Sequence, residues 1–170
     1  MILKAPGGMF FRIAMAMLLP LIAQQSLLAS ETEIPQADNL AEVGRLSRQQ
    51  GIPAIVFVSR DACPYCRTLR ETILGPMLAA DKFGDRAILV EISLDRVEPL
   101  TGFANTQVTA KDFAGRYRAE ITPTLLFLDF EGREIGKRIV GISNLELYGY
   151  YLQKSIDQAL QAIHSGNQPN

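Results

Sequence analysis

"IPAIVFVSRDACPYCRTLRETIL", residues 52–74, decides the fold. Its first eight residues, "IPAIVFVS", hold a continuous apolar run rich in β-branched side chains that closes on Ser59. That predicts a strand covered on both faces, because a half-exposed strand would alternate apolar with polar. Both cysteines of the chain follow at once, Cys63 and Cys66, with Pro64 and Tyr65 between them, and "CRTLRETIL" then reads as a helix. A disulfide stabilises a fold roughly with the size of the loop it closes in the unfolded chain. This pair closes almost nothing, so its spacing serves chemistry.

A strand ending and a helix beginning at Cys63 put that sulfur at a helix N-terminus. Unpaired backbone N–H groups and the positive end of the helix dipole favour the thiolate there. The thiolate is the nucleophile of disulfide exchange. Pro64 suits the first helical turn, where a missing N–H costs nothing. Cys66 lies nearly one turn further in, within reach of a mixed disulfide on Cys63. Cys63 is therefore assigned as the attacking thiol and Cys66 as the resolving thiol. Three other uses compete. Structural zinc needs about four ligands, and the only other candidate is His164, the single histidine. Attachment of a c-type haem needs histidine directly after the second cysteine, where Arg67 stands. A purely structural vicinal disulfide would stabilise little. Redox exchange is the favoured reading, with no metal and no cofactor beyond the Cys63–Cys66 couple itself.

Further along, "NLAEVGRLSRQQG" spaces Leu40, Val43 and Leu46 for a helix capped by Asp38 or Asn39 and stopped by Gly51. Gly75-Pro76 is expected to break or kink the helix after the cysteines, since Pro76 has no N–H and clashes with the preceding turn. "RAILVEISL" reads as a second buried strand, and "DRVEPLTGFANTQV" as a loop or small excursion. Thr109 and Asp112 form a capping box ahead of a helix. "TLLFLDF", the turn "EGR" and "EIGKRIV" give an antiparallel hairpin signal. A second capping box, Ser143 with Glu146, opens the last helix, whose apolar face runs through Tyr148, Leu152, Ile156, Ala159 and Ile163. Alternating strands and helices give a parallel core, and the late hairpin adds antiparallel strands.

Composition bounds the rest. The chain has 170 residues, 48% hydrophobic and 21% charged, with net charge −1 and no block of like charges. That suits one globular domain and argues against nucleic acid, which needs clustered Lys and Arg. At the N-terminus, Lys4 and Arg12 precede an apolar run from Ile13 to Ala23, with small residues at Ala29 and Ser30. This is the layout of a secretory signal peptide. The run is about half the ~20 residues that span a bilayer, and Pro20 interrupts it. The rival is an uncleaved membrane anchor, and Leu27 is larger than a cleavage site prefers. Removing residues 1–29 leaves 15 basic and 18 acidic residues, a net of −3. Residues 1–29 are expected as a signal peptide, 30–39 as a flexible lead-in, 40–164 as the domain and 165–170 as a tail. Export favours disulfide chemistry.

Strand, CPYC and helix, with "AEITPTLLFLDFEG" about 60 residues on and Gly141 after the hairpin, resemble the thioredoxin superfamily. The nearest likeness is to exported thioredoxin-related thiol:disulfide oxidoreductases of bacterial periplasms. The resemblance implies a thioredoxin-like α/β fold: a central mixed sheet with a parallel core, a C-terminal antiparallel hairpin, and helices on both faces. It implies that Pro123 is a cis-proline facing the sulfurs, that the Thr122 backbone holds an extended substrate segment, and that Pro64 and Tyr65 lie in the substrate contact. It also implies disulfide-containing or dithiol client proteins, a membrane thiol carrier as electron donor, a periplasmic location and a monomer. Reduction of clients is the expected direction. An oxidant or isomerase of the same fold, and a non-catalytic peptide-binding or chaperone-like module, are the alternatives.

Departures from the family pattern raise one further candidate. Phe57 stands where thioredoxin has a buried acid, Ala62 stands where it has tryptophan, and residues 96–109 are an insertion. Pro-Tyr is the dipeptide common in glutaredoxins, without other likeness to a glutathione site. Glu91 occupies mid-strand in "ILVEISL", where thioredoxin has a lysine. Buried beneath the cysteines, its carboxylate would replace the missing acid and take the Cys66 proton during resolution. The alternatives are an ion pair with a nearby Arg or escape to solvent at a strand end. Arg60 and Asp61 read as solvated loop charges, Tyr148, Tyr150 and Tyr151 as helix packing and surface, and His164 as a frayed end without a role.

Overall fold

Every residue of β1 (Ala54–Ser59) is buried, and its side chains divide by parity. Ile55 and Phe57 enter one apolar cluster, whereas Ala54, Val56 and Val58 enter another on the opposite face. That division explains the unbroken apolar run: both faces of the strand are covered. The computed structural model describes residues 33–166. The expected leader over 1–29 and the end of the tail past 166 lie outside the described residues. No described helix is long and apolar enough to cross a membrane.

The main sheet has the order β2–β1–β5–β6. β2 (Ile88–Ser93) lies parallel to β1, β5 (Thr124–Leu128) antiparallel to β1, and β6 (Ile139–Val140) antiparallel to β5. The parallel core is thus the β1–β2 pair, extended outward by a parallel bridge from Gln36 to Glu91. α1 (Leu40–Gln50) and α4 (Ala110–Tyr117) supply Leu40, Val43, Phe113 and Ala114 to one face of the sheet. α2 (Pro64–Leu69) and α5 (Tyr148–Ser165) supply Cys66, Leu69, Leu152 and Ile156 to the other. This is the expected mixed sheet with helices on both faces.

Two caps form as read: Asn39 accepts the Glu42 N–H at 3.0 Å, and Thr109 accepts that of Asp112 at 3.1 Å. Three expectations are corrected. Gly75-Pro76 does not end its helix. A π-helical turn, Arg70–Leu74, follows α2 and leads into α3 (Gly75–Ala79), all in right-handed backbone. Gly75 donates to Arg70, five residues back, so Pro76 meets the first turn of a restarted register, where no N–H is required. The excursion after β2 contains a second small sheet, β3 (Leu100–Thr101) with β4 (Gln107–Val108). Strands of two residues leave no periodicity to read. The Ser143–Glu146 capping box is not the start of α5. The helix begins at Tyr148, and the Asn144 side chain takes the Leu147 N–H at 3.1 Å.

The turn between β5 and β6 needs its glycine. Gly132 has φ +77°, and a Cβ there would sit 2.6 Å from the Phe103 ring and 2.8 Å from Tyr117 Oη. Phe103 of the insertion is thereby packed against the hairpin turn.

Tyr148 is buried in the cluster that also holds Cys66, and its hydroxyl makes no hydrogen bond among the described residues. Burial pushes its phenol well above the ordinary range. The unfolded phenol ionises near pH ~10. The neutral-phenol contribution is therefore intact below that pH and is lost as pH rises past it. Tyr148→Phe is expected to raise stability by about 1 kcal/mol, because an unsatisfied buried hydroxyl is removed. The variant should also lose less stability between pH ~8 and pH ~10.5. Urea melts at the two pH values check both effects; a less stable variant would contradict them.

Candidate active site

The CxxC turn follows from β1 running out of sheet. Ser59 is the last strand residue, Arg60 to Ala62 turn the chain, and Cys63 stands in extended backbone as the N-cap of α2, with Pro64 in the first turn. The Cys66 N–H donates to Cys63 Sγ at 3.1 Å, and the Arg67 N–H to the Cys63 carbonyl at 3.1 Å. The two sulfurs are joined as a disulfide, with Cα atoms 5.2 Å apart. Cys63 is half-buried, whereas Cys66 is fully buried. One sulfur can be approached from outside, and the other lies behind it.

Across from Cys63 lies the loop before β5. The Thr122–Pro123 peptide is cis. Thr122 Oγ1 donates toward Cys63 Sγ at 3.7 Å, and the Thr122 carbonyl oxygen lies 3.9 Å from the same sulfur. Thr122 and Cys63, 59 residues apart in sequence, thus meet at one point. The Gly141 N–H donates to the Pro123 carbonyl at 2.8 Å, which brings the end of β6 beside the same loop. Gly141 has φ +66°, a conformation that glycine adopts without strain. Tyr65 is largely exposed next to the cysteines, and Pro64 is exposed with it.

Glu91 is buried, at 2% exposure, on the strand register opposite Phe57. It does not stand alone. Arg70 binds both its carboxylate oxygens, through Nε at 3.2 Å and through a second, shorter contact from Nη2, and Ser59 Oγ donates to Oε1. The arrangement follows from parity and helical spacing. Phe57, Ser59, Leu89 and Glu91 share a sheet face, and Arg70 is four residues, about one turn, beyond Cys66. Arg70 also lies over the Phe57 ring at 5.6 Å. Its hydrogen bond to Glu91 raises the Arg70 pKa further, against the effect of burial. The chain thus sets phenylalanine on β1, glutamate beside it on β2, and arginine on the helical turn after α2. A cleft of about 460 Å³ reaches Glu91 past Asp61, Arg70, Ser93 and Arg96, and neither cysteine lines it.

Sequence reasoning did not find Ser59 or Arg70. Arg60 and Asp61 lie at the surface as read, and both also bond to the corner after β2. Arg60 pairs with the Asp95 carboxylate at 3.3 Å, the Asp61 N–H donates to it at 2.9 Å, and Ser93 Oγ donates to the Asp61 carboxylate at 2.8 Å. The turn leading into Cys63 is thereby fastened to the corner after β2. The signal available was the alternation that puts Ser59 on the Phe57 face. His164 Nε2 contacts the Gly51 carbonyl at 3.2 Å, far from the sulfurs in sequence and in no described metal cluster.

A family model described as a thioredoxin-like domain matches residues 41–162. No curated protein matches the chain. Among solved structures, the DsbH oxidoreductase is similar at 17% identity and a TM-score of 0.53, over 82% of this chain and 95% of that one. Thioredoxin O2 from Arabidopsis thaliana in the oxidised state aligns at 18% identity and a TM-score of 0.48, over 73% and 96% of the two chains. Oxidised mitochondrial thioredoxin 3 from Saccharomyces cerevisiae aligns at 20% identity and a TM-score of 0.48, over 76% and 98%.

Proposed function

We propose, because the chain belongs to the thioredoxin-like domain family, that its Cys63–Cys66 couple reduces disulfides of exported client proteins. The observation that carries this reading is the placement of the two sulfurs. Cys63 is accessible, receives the Cys66 N–H and faces Thr122, while Cys66 is buried behind it. The Cys63 thiolate attacks one sulfur of the client disulfide, forming a mixed disulfide and releasing a client thiolate. Cys66 then loses its proton, and its thiolate attacks Cys63 Sγ. The second client sulfur leaves, and two electrons have passed to the client. Thr122, with Pro123 behind it, is placed to position the client backbone against Cys63, and Pro64 and Tyr65 border the same approach.

Glu91 is proposed as acceptor of the Cys66 proton. Its support is burial on the sheet face that α2 covers, and the hold of Arg70, one turn from Cys66. Glu91→Gln should slow mixed-disulfide resolution about tenfold or more near neutral pH, in the range for loss of a general base, while the first attack keeps its rate. Stopped-flow resolution rates between pH ~6 and ~9 decide the matter; identical profiles would leave Glu91 as the structural partner of Arg70.

Location and donor belong to the same proposal. The basic N-terminal residues followed by an apolar run support export to a periplasm. There a membrane thiol carrier would restore the dithiol. Anchoring by the same run, facing the same compartment, is the alternative. The reduction potential of the couple separates reductant from isomerase and oxidant. A value near that of thioredoxin, about −270 mV, fits the proposal, and one near −120 mV would make the protein an oxidant.

A further inference from the structure

We infer that the surface from Val140 to Tyr151 docks an extended, apolar segment of the client polypeptide whose disulfide Cys63 attacks. This rests on the disulfide-exchange reading above and adds to it the class of client.

Eight large apolar side chains are exposed among the described residues, and five lie in this one segment: Val140, Leu145, Leu147, Tyr150 and Tyr151. Two of the others, Tyr65 and Ile121, flank Cys63 and Thr122. Residues 139–153 contain a single charged side chain, Glu146, in a chain that is 21% charged overall. Tyr148 fixes the start of α5 by entering the core, so Tyr150 and Tyr151 are turned outward. Leu147 lies three and four residues before them, the spacing of neighbours on a helix surface. The two tyrosine rings meet edge to face, with centroids 5.5 Å apart.

Continuity with the sulfur identifies the occupant. Val140 is the register partner of Thr124, and Gly141 is bonded to Pro123 at 2.8 Å. From Gly141 to Leu147 the chain can span no more than about 21 Å. An extended client strand, at about 3.4 Å per residue, covers that distance with about six residues. A polypeptide with its cysteine at Cys63 that runs past Thr122 and Gly141 therefore reaches the far end of the strip within about six further residues. The strip adjoins the Thr122–Pro123 loop through Gly141, so a client held at Cys63 is the occupant argued for.

The test uses the full chain and the triple variant Leu147→Ser/Tyr150→Ser/Tyr151→Ser. The probe is a fluorescent 14-residue peptide bearing serine at the client-cysteine position and Leu-Phe-Leu five to seven positions away. Anisotropy should show binding at least tenfold weaker in the variant. Reduction of the small disulfide 5,5′-dithiobis(2-nitrobenzoate) should stay within twofold. Tyr150→Lys alone, at an exposed position, should weaken the peptide at least threefold and guards against misfolding of the triple variant. Equal peptide affinity in wild type and variants overturns the inference. So does a wild-type dimer that the triple variant converts to monomer in sedimentation, because the strip would then be a self-association surface. Loss of peptide binding in a protein that never reduces the small disulfide would keep the docking strip and reject the redox reading.

Discussion

Cys63→Ser should remove disulfide exchange altogether, whereas Cys66→Ser should complete the first attack and stop at a stable mixed disulfide with the client. The asymmetry follows from exposure. Cys63 is the sulfur that a client can touch, and the fully buried Cys66 reaches only Cys63. A hydroxyl at 63 is far too weak a nucleophile to replace the thiolate. With serine at 66 no second thiol is available to release the client, so the adduct accumulates in one-to-one ratio. Mass spectrometry under non-reducing conditions, with a disulfide-bonded client peptide, reads both outcomes. Adduct on Cys66 in Cys63→Ser, or undiminished turnover in Cys66→Ser, would reverse the assignment. Client binding that survives both substitutions without any exchange in the wild type would mark a peptide-binding module.

Arg70→Met should destabilise the domain by about 3 kcal/mol or more, since it leaves a buried carboxylate without its counter-charge. Glu91 is 2% exposed and finds its partners in Arg70 and Ser59. Serine alone supplies one neutral hydrogen bond, which cannot replace a guanidinium. Adding Glu91→Gln to Arg70→Met should recover most of the loss, because the charge is gone and Ser59 still has an oxygen to meet. The double-mutant cycle, measured by urea denaturation, isolates the pair from the packing of Arg70 over Phe57. A single variant within 0.5 kcal/mol of wild type, the usual scatter of surface substitutions, would show that the pair carries no such weight.

The fold was legible wherever local pattern and burial coincide. The run from Ala54 to Val58 announces a strand covered on both faces because no side chain in it needs water. Asn39 and Thr109 announced their helices because a cap uses atoms only three residues apart. Cys63 and Cys66 were legible as a site because their spacing has few other uses. What escaped was long-range or too short to have a period. The Glu91–Arg70 pair joins a strand to a helix 21 residues away, and only the packing of α2 on the Phe57 face brings them together. The β3–β4 hairpin has two residues per strand. At α5, Ser143 and Glu146 fit a capping pattern, but the chain satisfies the Leu147 N–H with Asn144 instead. Gly75-Pro76 signals a break or a kink, and the sequence does not say that a π-helical turn lets the helix restart around Pro76.

Cys63 caps α2 and accepts the Cys66 N–H, with Cys66 sheltered behind it, so on reduction Cys63 should be the reactive sulfur. The rate of iodoacetamide alkylation of the reduced protein against pH tests it most directly, with peptide mapping to assign each sulfur. Cys63 should react alone, with a rate that levels off at a pH below about 8.5, the value of a free cysteine. Equal labelling of both sulfurs, or an inflection at the free-cysteine value, would contradict it.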